Sequence, residues 1–302
     1  MSKNKHLVFT LPYILWLALF VTAPLVLIFY QSFLNINGHP TWENYRDYIH
    51  SATYLQMTFN SVWYALVITG ITLVVAYPVA YVIAQLRSKD FWLALVILPT
   101  WINLLLKTYA FIGLLGQHGS INNFLRFIGL GSHQLLFTNA AFVWVAAYIE
   151  LPFMVLPIFN AITAIPTSLI NASLDLGASR WQTFTKVIFP LSKSGVAAGI
   201  QAVFIPSLSL FMITRLIGGN RVITLGTAIE EHFLTTQNWG MGSTIGVVLV
   251  LAMLVVMVLT DDNNKKGGAW VASKTFFYRQ NLSRIGPCGH VLAYFLLDLL
   301  FF

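Results

Sequence analysis

Six stretches of this chain, 7–33, 61–86, 91–116, 138–162, 195–217 and 242–260, run for about twenty residues or more with hardly a charge among them. A helix needs roughly 20 mostly apolar residues to cross the hydrocarbon layer of a bilayer. The expected fold class is therefore an all-α integral membrane protein with six transmembrane helices. The whole chain agrees. Of 302 residues, 57% are hydrophobic and 9% charged, against about 25% charged in soluble domains. Too few charges remain to cover a water-soluble globule, and disorder needs the opposite composition. The first stretch has too long an apolar core, and no small-x-small site after it, for a cleavable signal peptide. The single Cys288 excludes an internal disulfide framework or a multi-cysteine metal site.

The net charge of +7 reports loop topology rather than nucleic-acid binding. With the N-terminus inside, the inner segments hold Lys3, Lys5, Arg87, Lys89, Arg180, Lys186, Lys193, Lys265 and Lys266. The outer loops hold Arg46, Arg126 and Arg221, with Arg215 near an outer helix end. That asymmetry favours cytoplasmic termini. Residues 34–56, with Trp42, Tyr45, Tyr48 and Tyr54, suit an interfacial segment, and Ile121–Ile128 reads as a short amphipathic helix.

The loop 164–190 does not look like a plain connector. Pro166 fits the first turn of a helix, and Thr167 or Ser168 could satisfy its free amides. Leu169, Ala172, Ser173 and Leu176 fall on one face at helical spacing. Gly177 is placed to end that helix in a left-handed conformation. Ser179 then caps a second helix, with Gln182 completing a capping box. Such a helix could dock into a groove of a soluble partner or rest on lipid headgroups. Two capped helices around a glycine turn favour a rigid lever.

At these residues the chain resembles the import permeases of ATP-binding-cassette (ABC) transporters, whose loop reads E-A-A-x-x-x-G, nine residues, then I-x-L-P. The matching positions are Asn171, Ala172, Ser173, Gly177, Val187, Phe189 and Pro190. Asn171 and Ser173 depart from the usual acidic residue and alanine. The strings Asp175-Leu-Gly-Ala-Ser-Arg-Trp-Gln-Thr-Phe, Leu151-Pro-Phe-Met-Val-Leu-Pro and Leu216-Ile-Gly-Gly are similar to the spermidine/putrescine branch. Permeases for thiamine, iron(III) and phosphonates share much of the pattern.

The resemblance implies the type I, MetI-like permease fold over residues 1–266. It implies a second, different permease subunit, two ATPase subunits and an external substrate-binding protein as partners, within the bacterial cytoplasmic membrane. The chain shows no G-x-x-x-x-G-K-[ST] phosphate cradle. ATP and Mg then belong to the partner subunits, with no cofactor on this chain and no enzymatic role. The coupling segment is expected at Ser168, Leu169, Asn171, Ala172, Ser173, Asp175, Leu176, Gly177, Ala178 and Ser179.

Ionisable residues within spans are costly and face a cavity or a partner. Lys107 in span three, Glu150 in span four and Arg215 near the end of span five stand out. A polycation's path should offer carboxylates and aromatic faces. Glu150, with Tyr148 and Trp144 near it, is the acidic candidate. An internal Glu150–Lys107 ion pair is the alternative. Polyamine permeases often carry an acidic residue where Arg215 stands. Glu230 and Glu231 could draw in a cation or contact the binding protein. Adjacent residues do not converge on one metal ion, so no metal site is expected from them and His232.

An intramembrane enzyme is disfavoured, since H-E-x-x-H and G-x-S-x-G are absent. A secondary transporter would favour an inverted repeat, which is not visible. Residues 267–302 form an atypical tail ending in the apolar Val291–Phe302, interrupted by Asp298. An interfacial helix, part of a seventh span and a reading-frame extension are its three readings. The lack of periodicity over Arg279–His290 favours the last.

Overall fold

The computed structural model describes residues 12–13 and 15–261. The tail 267–302, Lys3, Lys5, Lys265, Lys266 and Cys288 lie outside the described residues.

Among the described residues every regular element is helical, and one isolated backbone bridge joins Leu34 and Pro40. In order, α1 spans Leu15–Gln31, α2 Glu43–His50, α3 Ala52–Gln85, α4 Lys89–Ile97, α5 Leu104–Leu115 and α6 Ser120–Phe127. Then come α7 (Asn139–Thr163), α8 (Thr167–Asp175), α9 (Arg180–Ser207), α10 (Leu225–Glu230) and α11 (Trp239–Asp261).

Four helices, α3, α7, α9 and α11, are long and apolar enough to cross a membrane. The expected span 91–116 is broken. Its first piece runs from Lys89 to Trp101, and the stretch Leu104–Phe127, which holds α5 and α6, lies at 91° to it. Pro99 sits at the end of the first piece, where it cannot donate to the ladder. Asn103 starts the second: its side-chain oxygen accepts from the Leu105 amide at 2.8 Å, an N-cap. Counting the bent pair as one span gives five, and α1 is a shorter apolar helix of 17 described residues. Span five also differs from its expected bounds 195–217. Its helix begins at Arg180 and ends at Ser207 beside Pro206, and a short helical segment resumes at Phe211.

The core lies where α3, α7 and α9 pack together. Phe142, Met154, Val155 and Ile158 of α7 meet Ile68, Ala76 and Ala80 of α3 and Val203 of α9, all buried. Gly195 and Gly199 let α9 approach α7 at backbone distance. A Cβ on Gly195 would overlap the Ala161 methyl and stand 2.6 Å from the Pro157 carbonyl oxygen. One on Gly199 would stand 2.6 Å from Met154 Sδ. Small residues four apart are how helices associate where lipid removes any hydrophobic drive between them.

At the end opposite α8, polar contacts close the bundle. Asn44 donates to the carbonyls of Ser32 at 3.1 Å and Leu34 at 2.8 Å, and Thr244 donates to Ser32 at 3.1 Å. Ser61 of α3 accepts from the Leu225 amide of α10 at 2.7 Å. Large apolar side chains such as Leu27, Phe59, Val74 and Trp101 are exposed around the outside, as a lipid-facing surface requires.

Candidate functional site

The segment from α8 into α9 forms in detail as its residues dictate. Pro166 occupies the N-cap of α8, which begins at Thr167, and neither Thr167 nor Ser168 caps it through a side chain. Gly177 takes φ +81°. Its amide donates to the Leu174 carbonyl at 2.9 Å, and the Ala178 amide reaches back to the Ser173 carbonyl at 3.1 Å. These two bonds are the Schellman pattern that satisfies the last carbonyls of a helix. Ser179 and Gln182 then form a reciprocal capping box. The two helices are tied by Ser173 Oγ to Thr183 Oγ1 at 3.0 Å, with Thr183 buried.

That tie corrects the expected apolar face. Ser173 turns inward to Thr183, whereas Leu169, Ala172 and Leu176 look outward, and Asn171, Asp175 and Ser179 are exposed too. Leu176 at the turn is 89% exposed and Trp181 71%. The turn of this hydrogen-bonded unit thus leaves large apolar groups uncovered.

Inside the bundle the sparse charges fall out differently. Glu150 is 4% exposed, and its Oε2 has no hydrogen-bond partner. Among the described residues the one ion pair within 4.0 Å is Arg215–Glu230, at 2.9 Å. The alternative Lys107–Glu150 pair does not come within that distance. A helix turns about 100° per residue, so Glu150 and Tyr148 point to different sides of α7: Glu150 is buried in the bundle, and Tyr148 meets Phe111 of α5 edge to face at 5.2 Å.

The same rotation separates Glu150 from its aromatic neighbours. Trp144 and Tyr148, four residues apart, share an exposed face of α7, at 63% and 47% exposure. Trp144 also lines a cleft of about 330 Å³ with Trp63, Tyr64, Val67, Asn139, Ala140 and Val143. Arg215, basic where an acidic residue was expected from the resemblance, is neutralised by Glu230. Glu231 does not join it. It precedes His232, whose Nε2 lies 2.8 Å from Tyr54 Oη of α3. Burial holds the His232 pKa below its usual value, and Glu231 partly offsets this. Among the described residues no three His, Cys, Asp or Glu side chains are placed to hold a metal ion.

Two features escaped the sequence reading and had signals. Gly195-Val-Ala-Ala-Gly199 is a small-xxx-small pair, and Pro99 with Asn103 spells a stop and a restart.

Known proteins give the context for this geometry. Residues 6–264 match the family described as binding-protein-dependent transport system inner membrane component. The spermidine/putrescine transport system permease protein PotB of Haemophilus influenzae is 34% identical over 252 residues, covering 80% of this chain and 88% of that protein. PotB of Escherichia coli K12 is 34% identical over 248 residues, covering 79% and 90%. A bacterial ABC transporter that imports alginate contains a chain of the same fold, with TM-score 0.72 and 19% identity over 87% of this chain and 96% of that one. A chain of the MetNI methionine ABC transporter in an inward-facing conformation gives TM-score 0.53 and 19% identity over 72% and 99%.

Proposed function

The chain belongs to the family of binding-protein-dependent transport system inner membrane components, and from that membership we propose that it is the polyamine-specific permease subunit of an ATP-driven importer. It forms half of a translocation path for spermidine and putrescine. The substrate class rests on the 34% identity to two PotB proteins over about four fifths of the chain.

The single observation that carries the coupling role is the α8–Gly177–α9 lever. It is a capped, hydrogen-bonded unit with Leu169, Ala172 and Leu176 uncovered. A groove of an ATPase subunit would receive these groups, and closure of the ATPases would then rock the spans. ATP and Mg sit on those partners. The proposed assembly adds a different, PotC-like permease, two PotA-like ATPase subunits and a PotD-like external binding protein. The Lys and Arg asymmetry supports cytoplasmic termini and a cytoplasmic position for α8. Trp144 and Tyr148 would offer ring faces to an alkylammonium chain, with the Glu150 carboxylate behind them and Lys107 setting the local field. Glu230, held by Arg215, and Glu231 would lie on the side facing the binding protein.

The coupling reading is tested at Gly177. No atom stands within 4 Å of where a Cβ would be, so space is not the constraint. A non-glycine residue in the left-handed region costs roughly 1–2 kcal/mol. Gly177→Ala is expected to assemble and transport at a reduced rate. Gly177→Arg is expected to lose copurification with the ATPase subunits or to hydrolyse ATP without import. Full transport and normal complex formation in Gly177→Arg would defeat this assignment.

A further inference from the structure

The lever must move helices to which it is not joined by chain. α7 and α9 are continuous with it through residues 164–166 and 176–179. α3 is not, and yet α3 is the longest helix and shares the core with both. Any motion of the lever reaches α3 through side chains alone.

A continuous line of rings makes that contact. Trp181, the exposed aromatic of the lever, stacks on Phe184, with ring centroids 5.5 Å apart at 22°. Phe184 stands edge-on to Tyr81 at 5.0 Å and to Tyr77 at 5.9 Å. Tyr77 Oη lies 2.8 Å from Ser192 Oγ. Ser192 already donates to the Phe189 carbonyl at 3.1 Å, so Tyr77 is the donor to it.

The line is fixed at its Tyr77 end by that hydrogen bond and is soft where it crosses each helix. Phe184 opens a π-helical segment, Phe184–Ile188, in which the regular ladder is loosened. Tyr77 and Tyr81 flank Pro78, which lies inside α3 and removes one ladder bond there. The same α3 runs on to the far end of the bundle, where Ser61 holds α10 and Tyr54 meets His232.

We propose that Trp181, Phe184, Tyr81 and Tyr77 form an aromatic strut that carries motion of the coupling lever into α3 at Pro78, and that Phe184 is the positioning residue for that transfer. The strut rests on the coupling role proposed for α8, and it adds a side-chain route beside the covalent one through α9. Packed rings suit this task, because close-packed groups are displaced as a unit instead of deforming.

The test uses the full complex, with both permeases, the ATPase subunits and the binding protein, in proteoliposomes. It reads ATP hydrolysed per labelled spermidine imported. Phe184→Leu keeps apolar volume and removes the ring on which Trp181 stacks. It is expected to assemble, to hydrolyse ATP within about twofold of the wild type, and to need at least about fivefold more ATP per spermidine imported. Tyr81→Leu removes the nearer of the two α3 rings that Phe184 meets, at 5.0 Å against 5.9 Å for Tyr77, and is expected to raise the same ratio. The double variant should be no worse than Phe184→Leu alone, since both lie on one route. Should Phe184→Leu fail to assemble, Tyr81→Leu decides the matter. An unchanged ratio in the variants that assemble would overturn the strut, as would defects that multiply in the double variant. A Gly177→Arg complex that imports normally would instead remove the coupling reading itself, so the two failures are told apart.

Discussion

Glu150 is the residue whose chemistry is least settled by its surroundings. A buried polar atom left without a partner costs about 1–3 kcal/mol, and Glu150 Oε2 is such an atom. That cost makes Glu150 the first buried residue to test for a role beyond packing. Glu150→Gln is therefore expected to leave the thermal stability of the purified complex equal or raised, while spermidine uptake falls severalfold. Lower stability with unchanged uptake would make Glu150 structural. His232 gives a second test. Its ring lies between Tyr54 Oη and, at 3.3 Å, Thr236 Oγ1, and burial lowers its pKa. A group whose folded pKa is lowered contributes its full stability above the unfolded value, about 6.5. It loses that contribution as the pH falls from there through the folded value. Melting temperature between pH 8 and pH 5 should drop more in the wild type than in His232→Gln. Equal drops would show that His232 is not the sensor. The sequence named both residues and could not orient the first. α7 is apolar nearly all round, so no amphipathic direction marks which way Glu150 points.

At the level of the elements, what was legible depended on whether the chemistry was local. Gly177, Ser179 and Gln182 act within four residues of themselves, and their turn and capping box form as the sequence predicts. Hydropathy located α3, α7, α9 and α11, but it is blind to direction. It therefore drew a straight span through 91–116, where Pro99 and Asn103 produce a 91° bend. The glycine pair of α9 was missed for a different reason. Its meaning lies in the partner, since Gly195 and Gly199 matter because Pro157, Ala161 and Met154 press on them. That contact yields a prediction for the α7–α9 pair. Gly195→Val places methyl groups against a backbone carbonyl that cannot yield. It should cost at least about 1–3 kcal/mol and lower the yield of folded complex in thermal and gel-filtration assays. Gly70→Val, at a glycine with open space around it, should cost far less. Equal losses at the two sites would mean that close helix approach is not what Gly195 provides.

The whole molecule joins the α8–Gly177 segment at one end, a packed trio of α3, α7 and α9, and polar contacts that close the other end. Fold class and family were readable from the apolar runs and one glycine-centred loop, because both are written in consecutive residues. The translocation face was not. Trp144 and Tyr148 are exposed on this chain, and a path shared between two permeases is complete only when both are present. The most direct measurement is uptake of labelled spermidine by the complex reconstituted with its second permease, ATPase subunits and binding protein. Unlabelled putrescine, spermidine and thiamine serve as competitors. The expected result is ATP-dependent uptake that putrescine and spermidine suppress and thiamine leaves unchanged. Uptake suppressed by thiamine and indifferent to polyamines, or uptake that persists without ATP, would contradict it.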